Sequence, residues 1–142
     1  MAEESTTPVP VEVARRIFDA LDSADLDSAV SFYALDAVTD YTRTVGVVVY
    51  GRDGLRAFLA DWLVGYEDVS YTTEAVIDVG NGVGFVQYLQ VARPVGTSGH
   101  VTQREAAVAI VEEGLVVATT VYVQSELGEA RAAAERLAEE QG

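Results

Sequence analysis

Residues 51–82 read GRDGLRAFLADWLVGYEDVSYTTEAVIDVGNG and decide the fold of this chain. In the first half, apolar residues recur at the spacing of one helical face, and Asp53 is a candidate helix cap. In the second half they alternate, as they do along a half-buried strand. The sequence Gly80-Asn81-Gly82 then predicts a hairpin turn, because Asn and Gly accept a positive φ. The helical face consists of Leu55, Phe58, Leu59, Trp62, Leu63 and Tyr66, and the strand face of Val69, Tyr71, Thr73, Ala75, Ile77 and Val79.

Helical patterns precede this stretch and strand patterns follow it. We predict a helix from Pro10 to about Asp22, a short second helix capped by Asp25, and an extended segment over about 37–50. The first nine residues are interpreted as a flexible start, and 10–142 as a single domain. Early helices and late strands indicate the α+β class, in which helices cover a curved, mostly antiparallel sheet. The later elements are strands at about 83–93, 101–111 and 115–124 and a terminal helix from Ser125.

Composition removes most kinds of enzyme chemistry. The chain has no Cys, no Lys and one histidine, His100, which excludes thiol nucleophiles, Schiff bases and His-based zinc sites. We therefore expect no metal and no cofactor. The formal net charge of -14 argues against nucleic acid or an anionic membrane surface as a partner. With no long apolar run and no basic leader, a cytoplasmic protein is expected.

Several segments together resemble one known family. They are Asp25-Leu26-Asp27, Tyr33 to Val38, Gly51 to Leu59, Trp62-Leu63, Val101 to Val111, Glu113-Gly114 and Val121-Tyr122-Val123. They resemble the NTF2-like superfamily and, within it, the SnoaL-like group of polyketide cyclases and their relatives, over roughly residues 11–130. The resemblance implies a cone-shaped half-barrel, a deep apolar pocket between the helices and the concave sheet face, and a homodimer through the other sheet face.

The reactions known in that superfamily do not transfer directly to this chain. The acid/base aspartate of the polyketide cyclases falls on Val121. The oxyanion aspartate of the steroid isomerases falls on Ala106, and their first-strand aspartate falls on or beside Tyr41. The Arg-x-Asp pair of the epoxide hydrolases falls near Tyr88 and Gln90. Each family mechanism therefore lacks at least one group, and the pocket itself has to supply the function.

The candidate catalytic residues are Arg104, Tyr41 and Tyr88. Arg104 could stabilise an enolate or orient a carboxylate, and the alternative is a surface arginine paired with an acid. The two tyrosines could donate hydrogen bonds, and the alternative for each is packing in a strand. The candidate substrate-binding residues are Phe18, Tyr33, Trp62, Tyr66, Gln90, Thr119 and Val121.

Three other titratable residues, Asp40, Glu105 and His100, are considered as alternative residues of the pocket. Strand alternation lets only one of Asp40 and Tyr41 face the pocket, and it directs Asp40 away from the face of Tyr41. Glu105 lies opposite Arg104 on the same strand, so we expect it at a subunit interface or in solvent. His100 lies in a glycine-rich loop that could close the pocket mouth, although a loop histidine is more often only solvated.

The leading hypothesis is a small homodimeric protein of bacterial secondary metabolism. It would bind a mostly apolar, oxygenated intermediate of polyketide or polyene type and help to cyclise, isomerise or hydrate it. Alternatives are a non-catalytic carrier of a hydrophobic natural product and a structural dimerisation module. The dimer is predicted because Ala107, Ala109 and Tyr122 are expected on the outer sheet face, where they are too apolar for open water.

Overall fold

The structure is a computed structural model and describes residues 9–142. The predicted flexible start therefore lies outside the described residues, apart from Val9. The helices are α1 Pro10–Asp22, α2 Leu26–Val30, α3 Gly51–Leu63 and α4 Leu127–Gln141, with a 3-10 turn at Gln124–Glu126. The strands are β1 Tyr33–Tyr41, β2 Val47–Tyr50, β3 Tyr66–Gly80, β4 Val83–Pro94, β5 Val101–Glu112 and β6 Leu115–Val123.

The six strands form one curved, unclosed sheet in the order β2-β1-β6-β5-β4-β3. Strands β3 to β6 are a sequential antiparallel meander, β1 and β2 are antiparallel, and β1 is parallel to β6. The predicted α+β class and the mostly antiparallel half-barrel are confirmed. No helix within residues 9–142 is both long and apolar enough to cross a membrane.

The predicted extended segment over 37–50 is two strands with a turn between them. Asp40 holds the turn, because its Oδ1 accepts hydrogen bonds from Thr42 N at 2.8 Å and Thr42 Oγ1 at 2.6 Å. Gly46, at φ +80, allows the chain to reverse into β2. The polar middle of the segment is thus the turn itself.

Helices α1 and α3 cover the concave face of the sheet. Val13 and Ile17 of α1 are buried against Val111 and Val116. Leu55 of α3 is 2% exposed and packs with Val30 and Val49 in a second cluster. These contacts remove apolar surface from water at each end of the concave face and fix where the helices lie.

The start of α3 differs from the prediction that Asp53 caps it. The helix begins at Gly51 after Tyr50, whose side chain makes no capping hydrogen bond, and Asp53 lies in the first turn. Arg52 Nε instead donates to Tyr33 O at 2.9 Å and ties the start of the helix to β1. The helix ends at Leu63, so Tyr66 belongs to β3 rather than to the helical face.

Helix α4 covers the convex face. Its buried Ala130, Ala134 and Ala138 pack against a cluster that includes Phe85 and Val108. Small side chains on the helix allow it to lie close to the sheet. This apolar part of the outer face is thereby covered by the chain's own last helix, whose far end is held by Asn81 Nδ2 donating to Ala138 O at 2.6 Å.

This arrangement corrects the argument from which the dimer was predicted. Tyr122 does lie on the outer face, but it is buried in the cluster under α4. Ala107 and Ala109 point the other way and line the concave side. The three residues therefore do not form an open apolar surface.

Candidate functional site

A cavity of about 160 Å³ lies between the helices and the concave sheet face. That volume is close to a cavity of roughly 150 Å³ that stays dry and binds benzene. The lining reaches the surface at Val45 and Gln103, both of which are exposed. Most of its wall is apolar and includes Val13, Ile17, Phe58, Leu59, Val86 and Val121.

Glu105 lies in this wall, contrary to the expectation that it faces solvent or an interface. Within residues 9–142 it is the single carboxylate that lines the cavity. Its cross-strand partner is Tyr88 of β4, and residues paired in this way share a face of the sheet. Tyr88 Oη donates a hydrogen bond to Glu105 Oε1 at 2.8 Å. The cavity therefore contains a carboxylate held by a tyrosine.

Burial changes the acidity of this carboxylate. Removal from water raises the pKa of Glu105 above its ordinary value, and the hydrogen bond from Tyr88 opposes part of that rise. A carboxylate with a raised pKa is a stronger base than one in water once it is ionised. Once ionised, Glu105 can therefore take a proton from a bound molecule more readily than an exposed carboxylate can, and return it.

Three buried tyrosines lie near the carboxylate, and one of them, Tyr88, donates a hydrogen bond to it. Burial raises the pKa of Tyr41, Tyr71 and Tyr88 well above 10.0, and the charge of Glu105 adds to the effect. Each phenol therefore stays protonated at physiological pH. The ring of Phe18 packs beside two of them, with its centroid 4.6 Å from that of Tyr88 and 6.0 Å from that of Tyr71, while the two tyrosine centroids are 6.3 Å apart.

Two threonines form a second polar spot. Thr39 and Thr119 are paired across β1 and β6, line the cavity and are 2% and 8% exposed. The Oγ1 atom of Thr119 is buried and has no hydrogen-bond partner among the described residues. A buried hydroxyl without a partner is uncommon in proteins, because it has lost its hydrogen bonds to water.

Arg104 does not lie in the cavity, which corrects its prediction as the leading catalytic residue. It pairs with Leu89 on the outer sheet face. There its Nε lies 2.6 Å from Glu74 Oε1, and the second guanidinium contact to Glu74 Oε2 is 2.8 Å. The alternative reading, an arginine paired with an acid, describes this geometry. Hydrogen bonds from Arg104 hold the pKa of Glu74 at about 2.

The other predicted residues divide as follows. Tyr66 is outside the cavity and stacks on Trp62 with ring centroids 4.5 Å apart. Asp40 points away into its turn, and His100 lies in an exposed loop. The predicted residues that the structure brings together around the cavity are Phe18, Tyr33, Tyr41, Trp62, Tyr88, Gln90, Thr119 and Val121.

Sequence reasoning missed Glu105, Tyr71 and Gln103 as lining residues. Glu105 shares its strand face with Ala107, Ala109 and Val111, but Ala106 and Val108 make the opposite face equally apolar, so the alternation does not mark the inner face. In the part of the chain that the structure describes, no group of three or more His, Asp or Glu side chains is placed to hold a metal ion.

Several solved structures have the same fold. A hypothetical protein from Catenulispora acidiphila with a ketosteroid isomerase-like fold, in complex with trimethylamine, has 15% identity, and the match covers 87% of this chain and 95% of that one with a TM-score of 0.72. A provisionally assigned polyketide cyclase from Xanthomonas campestris has 16% identity, with 83% and 93% covered and a TM-score of 0.65. TerC, co-crystallised with polyporic acid, has 11% identity, with 84% and 95% covered and a TM-score of 0.69.

At these identities the solved structures show a shared fold and no more. A search of curated proteins finds no match. The model of the SnoaL-like domain family matches residues 14–119, which include most of α1, the carboxylate at Glu105 and the polar spot at Thr119. That range is most of the chain and contains most of the residues that line the cavity. The chain therefore belongs to the SnoaL-like domain family, as its sequence resemblance predicted.

Proposed function

We propose that this protein is a cofactor-independent proton-transfer enzyme that cyclises or isomerises a small, mostly apolar, oxygenated molecule of secondary metabolism. The observation that carries the proposal is the placement of Glu105 in an otherwise apolar cavity beside tyrosine donors. The SnoaL-like family of this chain and its structural likeness to a provisionally assigned polyketide cyclase support the proposed class of substrate.

The reaction begins with proton abstraction at a carbon next to a carbonyl group. Glu105 takes the proton, and the electron pair of the broken C–H bond moves to form an enolate. Protonated Tyr41 or Tyr71 donates a hydrogen bond to the enolate oxygen, which stabilises the developing charge. Glu105 then returns its proton to a different atom of the substrate, which completes an isomerisation. Alternatively, the enolate carbon attacks a second carbonyl carbon, the π electrons of that carbonyl move to its oxygen, and Glu105 returns its proton to the resulting alkoxide, which closes a ring and restores the base.

Tyr88 has a different part in this scheme. Its hydroxyl is already bonded to Glu105, so it positions the carboxylate and moderates its pKa. A base fixed in this way loses little entropy on reaching the reactive geometry.

The second candidate is a non-catalytic binder of a hydrophobic molecule. The apolar lining and the enclosed volume favour it, and related folds have been solved with trimethylamine and with polyporic acid bound. A binder does not require an ionisable base, whereas the proposed enzyme does.

The test is hydrogen–deuterium exchange at the carbons next to the carbonyl of benzylacetone, followed by NMR in D₂O. The wild type should accelerate exchange, and Glu105→Gln should reduce the acceleration about 10²- to 10⁴-fold, the usual contribution of a general base. Glutamine keeps the size of the side chain and an oxygen that accepts from Tyr88.

Arg104→Ala is the matched control, because Arg104 is the next residue on the strand and faces the opposite way. It should leave exchange unchanged. Equal exchange by the wild type and Glu105→Gln would overturn the role of the base. Binding of benzylacetone without any acceleration would favour the binder.

A further inference from the structure

The unpartnered hydroxyl of Thr119 lies well away from the proposed base. On β5, Glu105 is four residues from Ala109, which pairs with Thr119 of β6. At about 3.3 Å per residue, these two levels of the sheet are roughly 13 Å apart.

The wall between these levels is apolar on β4, β5 and β6. Its intermediate level there consists of Val86, Ala107 and Val121, which are paired across the three strands and all line the cavity. Tyr41 of β1 also lines the cavity, one residue beyond the pair of Asp40 with Thr120 and thus beside Val121. A ligand that fills this length meets the carboxylate and Tyr88 at one end, a mostly hydrocarbon middle and a neutral hydroxyl at the other end.

The charge around Thr119 limits what it could bind. Among the lining residues that the structure describes there is no Arg, so a carboxylate or phosphate at this end would have no countercharge. A neutral carbonyl or hydroxyl oxygen would satisfy the hydroxyl of Thr119 without burying a charge. Thr39, its partner on β1, completes a small polar spot.

We propose that Thr119 is a second binding point, which holds a neutral oxygen at the distal end of the substrate. The substrate is then an elongated, uncharged molecule with an oxygen near each end and an apolar middle. This inference rests on the proposed function, because the near end is defined by proton transfer at Glu105.

The experiment compares benzylacetone with its para-hydroxy derivative, which differs only by an oxygen at the end remote from the ketone. Affinities are measured by isothermal titration calorimetry for the wild type, Thr119→Val, Thr119→Ser and Thr120→Val. Thr120 is the matched control, since it is the next residue on β6 and faces outward. Valine has nearly the shape of threonine without its hydroxyl, and serine restores the hydroxyl.

We expect the wild type to bind the hydroxylated ketone more tightly than benzylacetone. Thr119→Val should weaken binding of the hydroxylated ketone about tenfold and leave benzylacetone within about twofold. Thr119→Ser should retain most of the preference, and Thr120→Val should retain all of it. Thr119→Val should also raise the melting temperature of the free protein, because it removes a buried hydroxyl without a partner.

Other outcomes overturn the inference. They are equal affinity of the wild type for the two ketones, no binding of either, or an equal loss in Thr119→Val and Thr120→Val. A lower melting temperature for Thr119→Val with unchanged affinities would mean that Thr119 binds only a trapped water. The comparison of the two ketones on the wild type needs no variant, so it stands even if a variant fails to fold.

Failure here is distinguishable from failure of the proposed function. If Glu105→Gln slows exchange of benzylacetone but the hydroxyl preference is absent, only the distal binding point is wrong. If the preference depends on Thr119 but Glu105→Gln exchanges as fast as the wild type, the protein is a binder with a distal contact.

Discussion

Single side chains set the chemistry of this cavity, and Glu105 is the residue in which burial and charge oppose each other most directly. Its carboxylate is largely removed from water and is partly compensated by one hydrogen bond from Tyr88. Stabilising a buried anion by one donor leaves its ionisation unfavourable. The folded protein therefore binds the proton of Glu105 more tightly than the unfolded chain does.

This imbalance predicts a specific pH dependence of stability. The pKa of Glu105 is raised in the folded state from an ordinary value of 4.5, so its contribution to stability is complete below that value and is lost as pH rises through the folded pKa. Glu105→Gln cannot ionise, and its stability relative to the wild type should increase as pH rises above about 4.5. Urea unfolding of both proteins between about pH 4 and 8 measures this difference. Parallel stability curves would show that Glu105 titrates normally.

The same residue shows how far a sequence can predict a site. Within β4, alternation correctly places Tyr88 and Gln90 on one face, and within β1 it places Tyr41 and Asp40 on opposite faces without showing which is inside; the structure has Tyr41 in the cavity and Asp40 in the turn. The loop between β4 and β5 does not transmit this alternation, so the face of Arg104 was assigned independently and was wrong. Alternation shows which residues share a face, but a loop of unknown geometry hides which face is inside.

At the scale of elements, the composition of β5 does not show which of its two faces lines the cavity, so it cannot reveal that Arg104 lies outside. Its inward positions include Ala107, Ala109 and Val111, and its outward positions include Ala106 and Val108. Both faces are apolar because the outer one is covered by α4. A strand buried on both sides has no polar face to mark the solvent, whereas the long amphipathic patterns of α1 and α3 were read correctly from their spacing.

The hairpin between β3 and β4 allows a matched test of backbone constraint. Gly82 has φ +82, and a Cβ built on it would lie 2.8 Å from Val111 O, whereas Gly96 has φ +83 with nothing within 4 Å. Gly96→Ala should cost about 1 to 2 kcal/mol for the left-handed backbone. Gly82→Ala should cost about 1 to 3 kcal/mol more, since Val111 must also shift. Thermal or urea unfolding of the two variants gives the comparison, and equal losses would show that the contact relaxes freely.

At the scale of the whole molecule, charge and burial act against each other. The chain has 23 acidic and nine basic residues, and ion pairs such as Arg43 with Glu126 and Glu129 neutralise only part of the excess. Exposed pairs of this kind contribute little each. Repulsion among the remaining carboxylates therefore opposes the compact state.

We predict that neutral salt stabilises this protein. Raising sodium chloride from about 10 mM to about 0.5 M shortens the screening length from about 30 Å to a few ångströms and weakens the long-range repulsion. The melting temperature at pH 7 should rise accordingly in scanning calorimetry. A fall in melting temperature would mean that the ion pairs outweigh the net charge of -14.

The position of α4 also bears on how the site depends on protein concentration. The helices and the sheet of a single chain form a cavity, and α4 covers the apolar cluster around Phe85 and Val108 on the other face of the sheet. The walls of the cavity therefore form without the association of two copies of the chain. Turnover per molecule should stay constant on dilution, and the occupancy of the cavity should follow the concentration of its ligand alone.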